Sequence, residues 1–172
     1  PTFGSPEPAM VTFGAAQLAR RMGVPFRSGG SLCGSKLPDA QAAYETQMCL
    51  WAAVTAHANI LFASAGWLEG GLSGSYEKLI LDAELLQLVT ESFQPMEVSA
   101  DTLGFDAIRE VGPGGHFFGA AHTLERYDRA FYHPILTDTR NYETWAEQGR
   151  DTAEMRANGI WKRMLAEYEK PP

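Results

Sequence analysis

The sequence predicts an α/β fold with parallel strands, and three observations lead there. Helix-like and strand-like patterns alternate as α-β-α-β-α up to about residue 95. The second strand segment, residues 59–66, is a continuous apolar run rather than an alternation, as a strand covered on both faces requires. Glycine-rich loops follow both strand segments, where βα turns are due. Right-handed crossovers make such strands parallel, in an open doubly wound sheet or a barrel. Two strands cannot close a barrel, and a complete one takes about 250 residues, so the chain is expected to be part of a larger fold.

The first helix has clear punctuation. Ser5 is placed to cap it, Pro6 and Pro8 sit in the first turn, and Gly23 ends it. Val11, Ala15, Leu18 and Met22 recur at helical spacing and are expected to face the core. Residues 24–28 read as a strand whose start, at Pro25, cannot be paired through its nitrogen. A second helix begins near Asp39. Its apolar residues, among them Tyr44, Met48, Leu50, Trp51 and Val54, spread over a wide arc, which predicts burial on more than one side. Ser75 caps a third helix with the stripe Leu79, Ala83, Leu86 and Phe93.

After residue 98 no good strand candidate remains. A helix is expected over residues 99–111, stopped by Gly112-Pro113-Gly114-Gly115. Thr123 is expected to cap a short helix. Asp151, three residues ahead of Glu154, is expected to cap a last helix through Tyr168. The domain division expected is 1–97 for the βα units and 98–172 for a helical extension packing on them.

Composition sets further limits. The 172 residues carry a net charge of −7 with no basic stripe, which argues against a nucleic-acid or anionic-membrane partner. No apolar run approaches the roughly 20 residues of a spanning helix. Pro1-Thr2-Phe3-Gly4 has no signal-peptide character and no initiator Met, so the chain is expected to begin inside a longer protein. Cys33 and Cys49 fit neither a disulfide framework nor a metal knuckle, and read as free thiols in a reducing cytoplasm.

Ligands of parallel α/β folds sit at the C-terminal ends of the strands. That singles out residues 28–36 and 64–71, with Ser28, Gly29, Ser31, Gly66, Trp67 and Glu69 as candidate ligand-facing residues. Neither loop has phosphate-loop spacing. Glycines there also serve tight βα turns. Trp67 offers a ring face that attracts a quaternary ammonium, and the Glu69 carboxylate adds to that attraction; packing over the strand ends is the plainer role for Trp67. His57 reads as a partner for the helix C-terminus. His116 and His122 lack the spacing and the third ligand of a zinc site, and no metal is expected in this chain. Neither GxSxG nor HExxH occurs. The pairs Asp101/Asp106 and Glu143/Glu147 read as solvated faces, so no catalytic residue is assigned.

Several longer runs carry a resemblance. Phe3-Gly4-Ser5-Pro6-Glu7, Gln17-Leu18-Ala19-Arg20-Arg21, Asp39-Ala40-Gln41-Ala42-Ala43-Tyr44-Glu45, Ala65-Gly66-Trp67-Leu68-Glu69-Gly70-Gly71 and Glu77-Lys78-Leu79-Ile80-Leu81-Asp82 resemble the trimethylamine methyltransferase family. So does the stretch from Ile108-Arg109-Glu110 through His116-Phe117, with His122-Thr123 after it. The resemblance implies the C-terminal part of a (β/α)8 TIM barrel, its last two βα units plus a C-terminal helical extension. It further implies transfer of a methyl group from a methylated or quaternary amine, trimethylamine or a betaine, to a corrinoid (cobalamin) carried by a cognate partner protein. In such chemistry the protein orients the ammonium and admits the corrinoid face rather than supplying an acid or base. Some members carry pyrrolysine, and relatives without it use quaternary amines; this sequence holds only the standard letters.

Two other classes of function are open to the residues. The aromatics Phe117, Phe118, Tyr127, Phe131, Tyr132, Trp145 and Trp161 would suit a docking module for the corrinoid protein or for a second subunit, in a homo-oligomer. Cys33 and His116 would be the start of a metal-dependent barrel enzyme.

Overall fold

In the computed structural model, which describes residues 3–171, the first helix α1 (Pro6–Met22) starts behind Ser5 and ends at Gly23, whose φ of 69° is the left-handed cap that glycine favours. Ser5 takes the capping place without a capping bond; its hydroxyl donates to Glu7 instead. Strand β1 (Arg27–Gly29) is shorter and later than residues 24–28 suggested. Ahead of it, Phe26 N–H donates to the Asn59 side chain at 2.8 Å and Asn59 N–H returns to Phe26 O at 2.9 Å. Helix α2 (Ala40–Thr55) is capped by Asp39, which accepts from Ala42 N–H.

Strand β2 (Ile60–Phe62) pairs with β1 in parallel, Arg27 with Ile60 and Gly29 with Phe62, which is the βαβ relation the alternation called for. Its burial corrects the expectation. Ile60 and Phe62 are both exposed, because among the described residues β2 has only β1 beside it. A two-residue hairpin strand, β3 (Trp67–Leu68), pairs antiparallel with β4 (Ser73–Gly74) inside what read as a loop. Glu69–Gly71 forms a 3-10 turn between them. Such short strands carry no periodicity, so no pattern announced them.

Helix α3 (Tyr76–Ser92) follows, with the Ser75 hydroxyl accepting from Lys78 N–H as a cap should. Then come α4 (Ala100–Leu103), α5 (Phe105–Val111), α6 (Ala121–Leu124), α7 (Tyr142–Glu147) and α8 (Ala153–Ala166). The single helix expected over 99–111 is broken at Gly104, where φ is 60°. Thr123 lies within α6 rather than at its cap. The cap of α8 is Thr152, one residue after Asp151, and its hydroxyl accepts from Met155 N–H. Among the described residues no strand follows Gly74.

The chain divides into two compact units, one running through Val89 and resuming at Ile135, the other Thr90–Pro134. The span 98–172 is therefore shared between them. In the first, Ile80 packs with Leu136 and Ala157, flanked by Leu81, Ile160 and Trp161, so α8 covers α3. In the second, the Arg126 guanidinium pairs with Asp101 and the His122 ring meets Asp101 O at 2.7 Å, joining α4 to α6.

Three helices depart from their predicted faces, α2 only in part. On α1 the side chains buried are Ala16 and Ala19, while Val11 and Leu18 stand 69% and 59% exposed. On α2, Leu50 is buried as expected, but Tyr44 and Trp51 are exposed. On α3, Leu79 and Phe93 are exposed, while Lys78 and Asp82 are only 1% and 2% exposed, with Glu84 also buried. The reason is that α3 has neighbours on two sides, Thr46 of α2 and the returning segment from Ile135, and its charged residues point at polar partners on both.

Candidate functional site

The two loops that leave the parallel strands are stitched together. Gly30 N–H donates to Phe62 O at 2.9 Å and Ser31 N–H to Ala63 O at 3.1 Å, and the Ser31 hydroxyl donates to Ser64 O. Further on, Glu69 N–H reaches Ser35 O at 2.8 Å, Gly70 N–H reaches Cys33 O at 2.7 Å, and the Cys33 thiol donates to Trp67 O at 3.3 Å. Gly30 has to be glycine, because a Cβ there would lie 2.7 Å from Ser64 Oγ and 2.8 Å from Ser64 Cα. The first loop is also anchored from α2. The Glu45 carboxylate accepts from Gly34 N–H at 2.5 Å and from Ser35 N–H at 3.2 Å.

The second loop is held at Gly66, where φ is +84°. Its N–H donates to Asp82 Oδ2 at 2.8 Å and its carbonyl accepts from Ser75 N–H at 2.9 Å. Asp82 is itself bonded to the Lys78 ammonium, which also donates to the Thr46 hydroxyl at 2.9 Å. Burial pushes the Asp82 carboxyl up, while the Lys78 ammonium and the Gly66 N–H pull the other way. Burial likewise pushes the Cys33 thiol up, so it is a packed thiol rather than a poised nucleophile.

An open recess of about 420 Å³ lies against this loop, lined by Trp67, Tyr76, Leu79 and the small residues Gly66, Gly74 and Ser75. Trp67 and Tyr76 are both exposed, so their rings are available to a ligand. Tyr76 also meets the Trp161 ring at 5.0 Å between centroids. The phenol of Tyr76 is the one titratable group in this lining. The recess can receive a small cation against aromatic faces, and its lining holds no carboxylate or imidazole to serve as a general base.

The sequence-predicted residues divide between places. Gly66 and Trp67 line the recess. Glu69 does not; its carboxylate accepts from the Ser73 hydroxyl at 3.1 Å, on a backbone with φ of 52°. Ser28 and Gly29 line a separate hollow of about 50 Å³ with Thr12, Leu32 and Cys49. Ser31 is fully buried, its hydroxyl engaged by Ser64 O and its carbonyl 3.5 Å from the Thr46 hydroxyl. Sequence reasoning passed over Tyr76, Lys78 and Asp82. Tyr76 stood one residue beyond a named cap. Lys78 and Asp82 entered only within a run that carries the resemblance, and their i, i+4 spacing is the same on a solvated helix face as on a buried one.

Among the described residues no group of three or more His, Cys, Asp or Glu side chains is placed to hold a metal ion. No described helix is long and apolar enough to cross a membrane.

A family model described as Trimethylamine methyltransferase (MTTB) matches residues 1–172. A glycine betaine methyltransferase of Desulfitobacterium hafniense (strain Y51) is 42% identical over 99% of this chain and 35% of its own length. The trimethylamine methyltransferase MttB2 of Methanosarcina mazei is 32% identical over 98% of this chain and 34% of its own length. A trimethylamine methyltransferase MttB of Desulfitobacterium hafniense (strain DSM 10664 / DCB-2) is 31% identical over 98% of this chain and 34% of its own length. The chain thus spans about a third of the length of these relatives.

Proposed function

Starting from the fact that the chain belongs to the trimethylamine methyltransferase family, we propose that it contributes one wall of a methyl-transfer site for a quaternary amine of the betaine type. The observation that carries this reading is the recess where the Trp67 and Tyr76 rings stand beside glycine backbone with no carboxylate or histidine among them. An ammonium gains from aromatic faces about 0.5–2 kcal/mol per well-placed ring. A site without a base suits a reaction in which the nucleophile comes from elsewhere and a neutral amine leaves. The higher identity to a glycine betaine methyltransferase than to the trimethylamine enzymes favours a betaine over trimethylamine.

On this reading a corrinoid carried by a partner protein supplies the Co(I) nucleophile when it docks. The residues here fit that role in one respect: the open lining of Gly66, Gly74 and Ser75 presents backbone and a hydroxymethyl rather than bulk to a large flat group. This chain's part is to orient the ammonium and exclude water from one side of it. We also read β1 and β2 as the last two strands of a (β/α)8 barrel completed elsewhere in a longer protein, working in the cytoplasm, where the free thiols Cys33 and Cys49 stay reduced.

The test is methyl transfer by the full-length protein from glycine betaine or trimethylamine to its cognate corrinoid protein. Betaine turnover is expected, with Trp67→Ala raising KM about tenfold and Trp67→Phe much less, as the loss of one cation–ring contact predicts. An unchanged KM in Trp67→Ala would remove Trp67 from the site. Failure of both amines would remove the reading itself.

A second reading, docking through the tail, draws on Phe118, Tyr127 and Phe131, which are all exposed in the Thr90–Pro134 unit. Trp145 and Trp161 do not belong to such a surface, since their indoles donate to Asp151 O and to Glu77. Changing Phe118 and Phe131 to Ser should then weaken association with the corrinoid protein in a sizing experiment, with betaine KM untouched.

A further inference from the structure

Lys78 and Asp82 are charged, buried and placed behind the recess rather than in it. Neither can touch a ligand at Trp67, for both are almost fully enclosed. Asp82 nevertheless ends on the backbone of the loop that lines the recess, accepting from Gly66 N–H at 2.8 Å. The Ala65–Gly66 peptide is therefore fixed by a carboxylate, and the Gly66–Trp67 peptide by Ser75 N–H, which donates to the Gly66 carbonyl at 2.9 Å. Lys78 holds the carboxylate in turn, and Thr46 Oγ1 holds Lys78 at 2.9 Å, so the tether runs from α2 through α3 into the loop. Ser75, which caps α3 by accepting from Lys78 N–H at 3.2 Å, ties both ends of the loop to the same turn of helix.

A buried ion pair is seldom a source of net stability, since desolvation of both charges offsets their attraction. An apolar pair at these positions would have packed as well. What an apolar pair could not do is accept the Gly66 N–H, an amide in a left-handed conformation with no strand partner to take it. We propose that Asp82, held by Lys78, is a positioning residue that sets the Gly66–Trp67 backbone and so the placement of the Trp67 ring over a bound quaternary ammonium.

The inference rests on the ammonium reading of the recess, and its test separates the two. In the full-length protein, two double variants remove both charges together. Lys78→Met with Asp82→Asn keeps an oxygen to accept the Gly66 N–H; Lys78→Met with Asp82→Leu does not. Both are compared with wild type for binding of glycine betaine and of tetramethylammonium, for KM and kcat, and for hydrogen exchange of the peptide amides at 65–67 in the ligand-free protein. The Leu variant is expected to lose about tenfold in affinity, with KM raised about tenfold, equivalent to about 1.4 kcal/mol. Its kcat at saturation is expected to change far less, and the 65–67 amides to exchange at least tenfold faster. The Asn variant is expected to recover most of both losses.

Equal binding and equal exchange in the Leu and Asn variants would overturn the positioning role. If wild type binds neither cation, the ammonium reading falls, and the exchange contrast still decides whether Asp82 orders the loop. If the Leu variant does not fold, the wild-type amide decides alone: a Gly66 N–H exchanging as fast as an exposed loop amide overturns the inference.

Discussion

Helices α1 and α3 flank the same pair of strands in sequence and treat their side chains in opposite ways. The first turns Val11, Leu18 and Met22 outward and buries Ala16 and Ala19. The third turns Leu79 outward and buries Lys78, Asp82 and Glu84. Hydrophobicity alone would have buried the large side chains of α1 and kept the three charges of α3 outside, leaving only Ile80 and Val89 of α3 where they are. What differs is the neighbours. Helix α3 is clasped on two sides by groups that answer its charges, whereas α1 packs on α2 by a face of small residues and leaves its large ones uncovered. A charged residue goes inside where polar partners are waiting, and an apolar one stays outside where no surface meets it.

The strongest way to break this contrast is to take one member from the clasp. Lys78→Met alone leaves the Asp82 charge buried with only the Gly66 N–H, and should cost about 3–5 kcal/mol in denaturant unfolding of the full-length protein. The double change to Met and Leu should cost much less, because no charge is left stranded. A single variant as stable as wild type would mean that water reaches the site.

Glu84 is the next test. Its carboxylate accepts from Ile135 N–H at 2.7 Å, Leu136 N–H at 3.1 Å and the Thr137 hydroxyl at 2.5 Å. Burial pushing its pKa up is outweighed by these bonds, which hold it below the usual carboxylate range. Glu84→Leu strands two amides and should cost about 2–4 kcal/mol. Limited proteolysis should then cut near residues 135–137 before any other part of this unit. Cleavage elsewhere first would show that the return segment is held by the Ile80, Leu136 and Ala157 cluster rather than by the carboxylate.

On α1 the expected effect is smaller and its meaning is different. If β1 and β2 belong to a closed barrel, as proposed above, the outward stripe is covered in the full-length protein. Leu18→Ser and Val11→Ser should then each cost about 1–2 kcal/mol there, in line with apolar area withdrawn from water. A cost below about 0.5 kcal/mol, the range of ordinary surface changes, would show that the stripe stays in solvent.

These two helices also mark what the residues could reveal unaided. Helix starts at Ser5, Asp39 and Ser75 and the end at Gly23 were legible, because caps act locally and their residue types are few. The parallel order of β1 and β2 was legible from alternation alone. Burial was not. Val11, Ala15, Leu18 and Met22 make a regular stripe whichever surface they meet, and Lys78 with Asp82 looks the same on a wet face or a dry one. Position 104 shows a local miss of another kind: a glycine inside a helical pattern is usually tolerated, and only its left-handed φ revealed the break. Of the residues lining the recess, Gly66 and Trp67 had drawn notice by their place after a strand, whereas Tyr76 entered through the β3–β4 hairpin, which has no sequence period to read.

The smallest effect refines the contrast at the helix start, where a charge is held without full burial. Glu77 accepts from Asn158 at 2.7 Å and from the Trp161 indole at 2.8 Å, and these bonds lower its pKa from the ordinary 4.5 to about 2. A carboxyl held below its unfolded pKa stabilises the folded chain at pH above that value and loses the contribution as pH falls toward the folded one. The loss should therefore run from about pH 4.5 down to about pH 2, and neutral pH should show none of it. Because Glu77 is partly open to solvent, screening reduces the effect to about 1 kcal/mol. Glu77→Gln keeps an oxygen for both donors and removes the titration, so its unfolding free energy should fall less steeply across that window. Parallel acid profiles for Glu77→Gln and wild type would show that α8 is held on α3 by the packing of Ile80, Ala157 and Trp161 and not by the carboxylate, making α3 a helix whose charges matter only where they are buried.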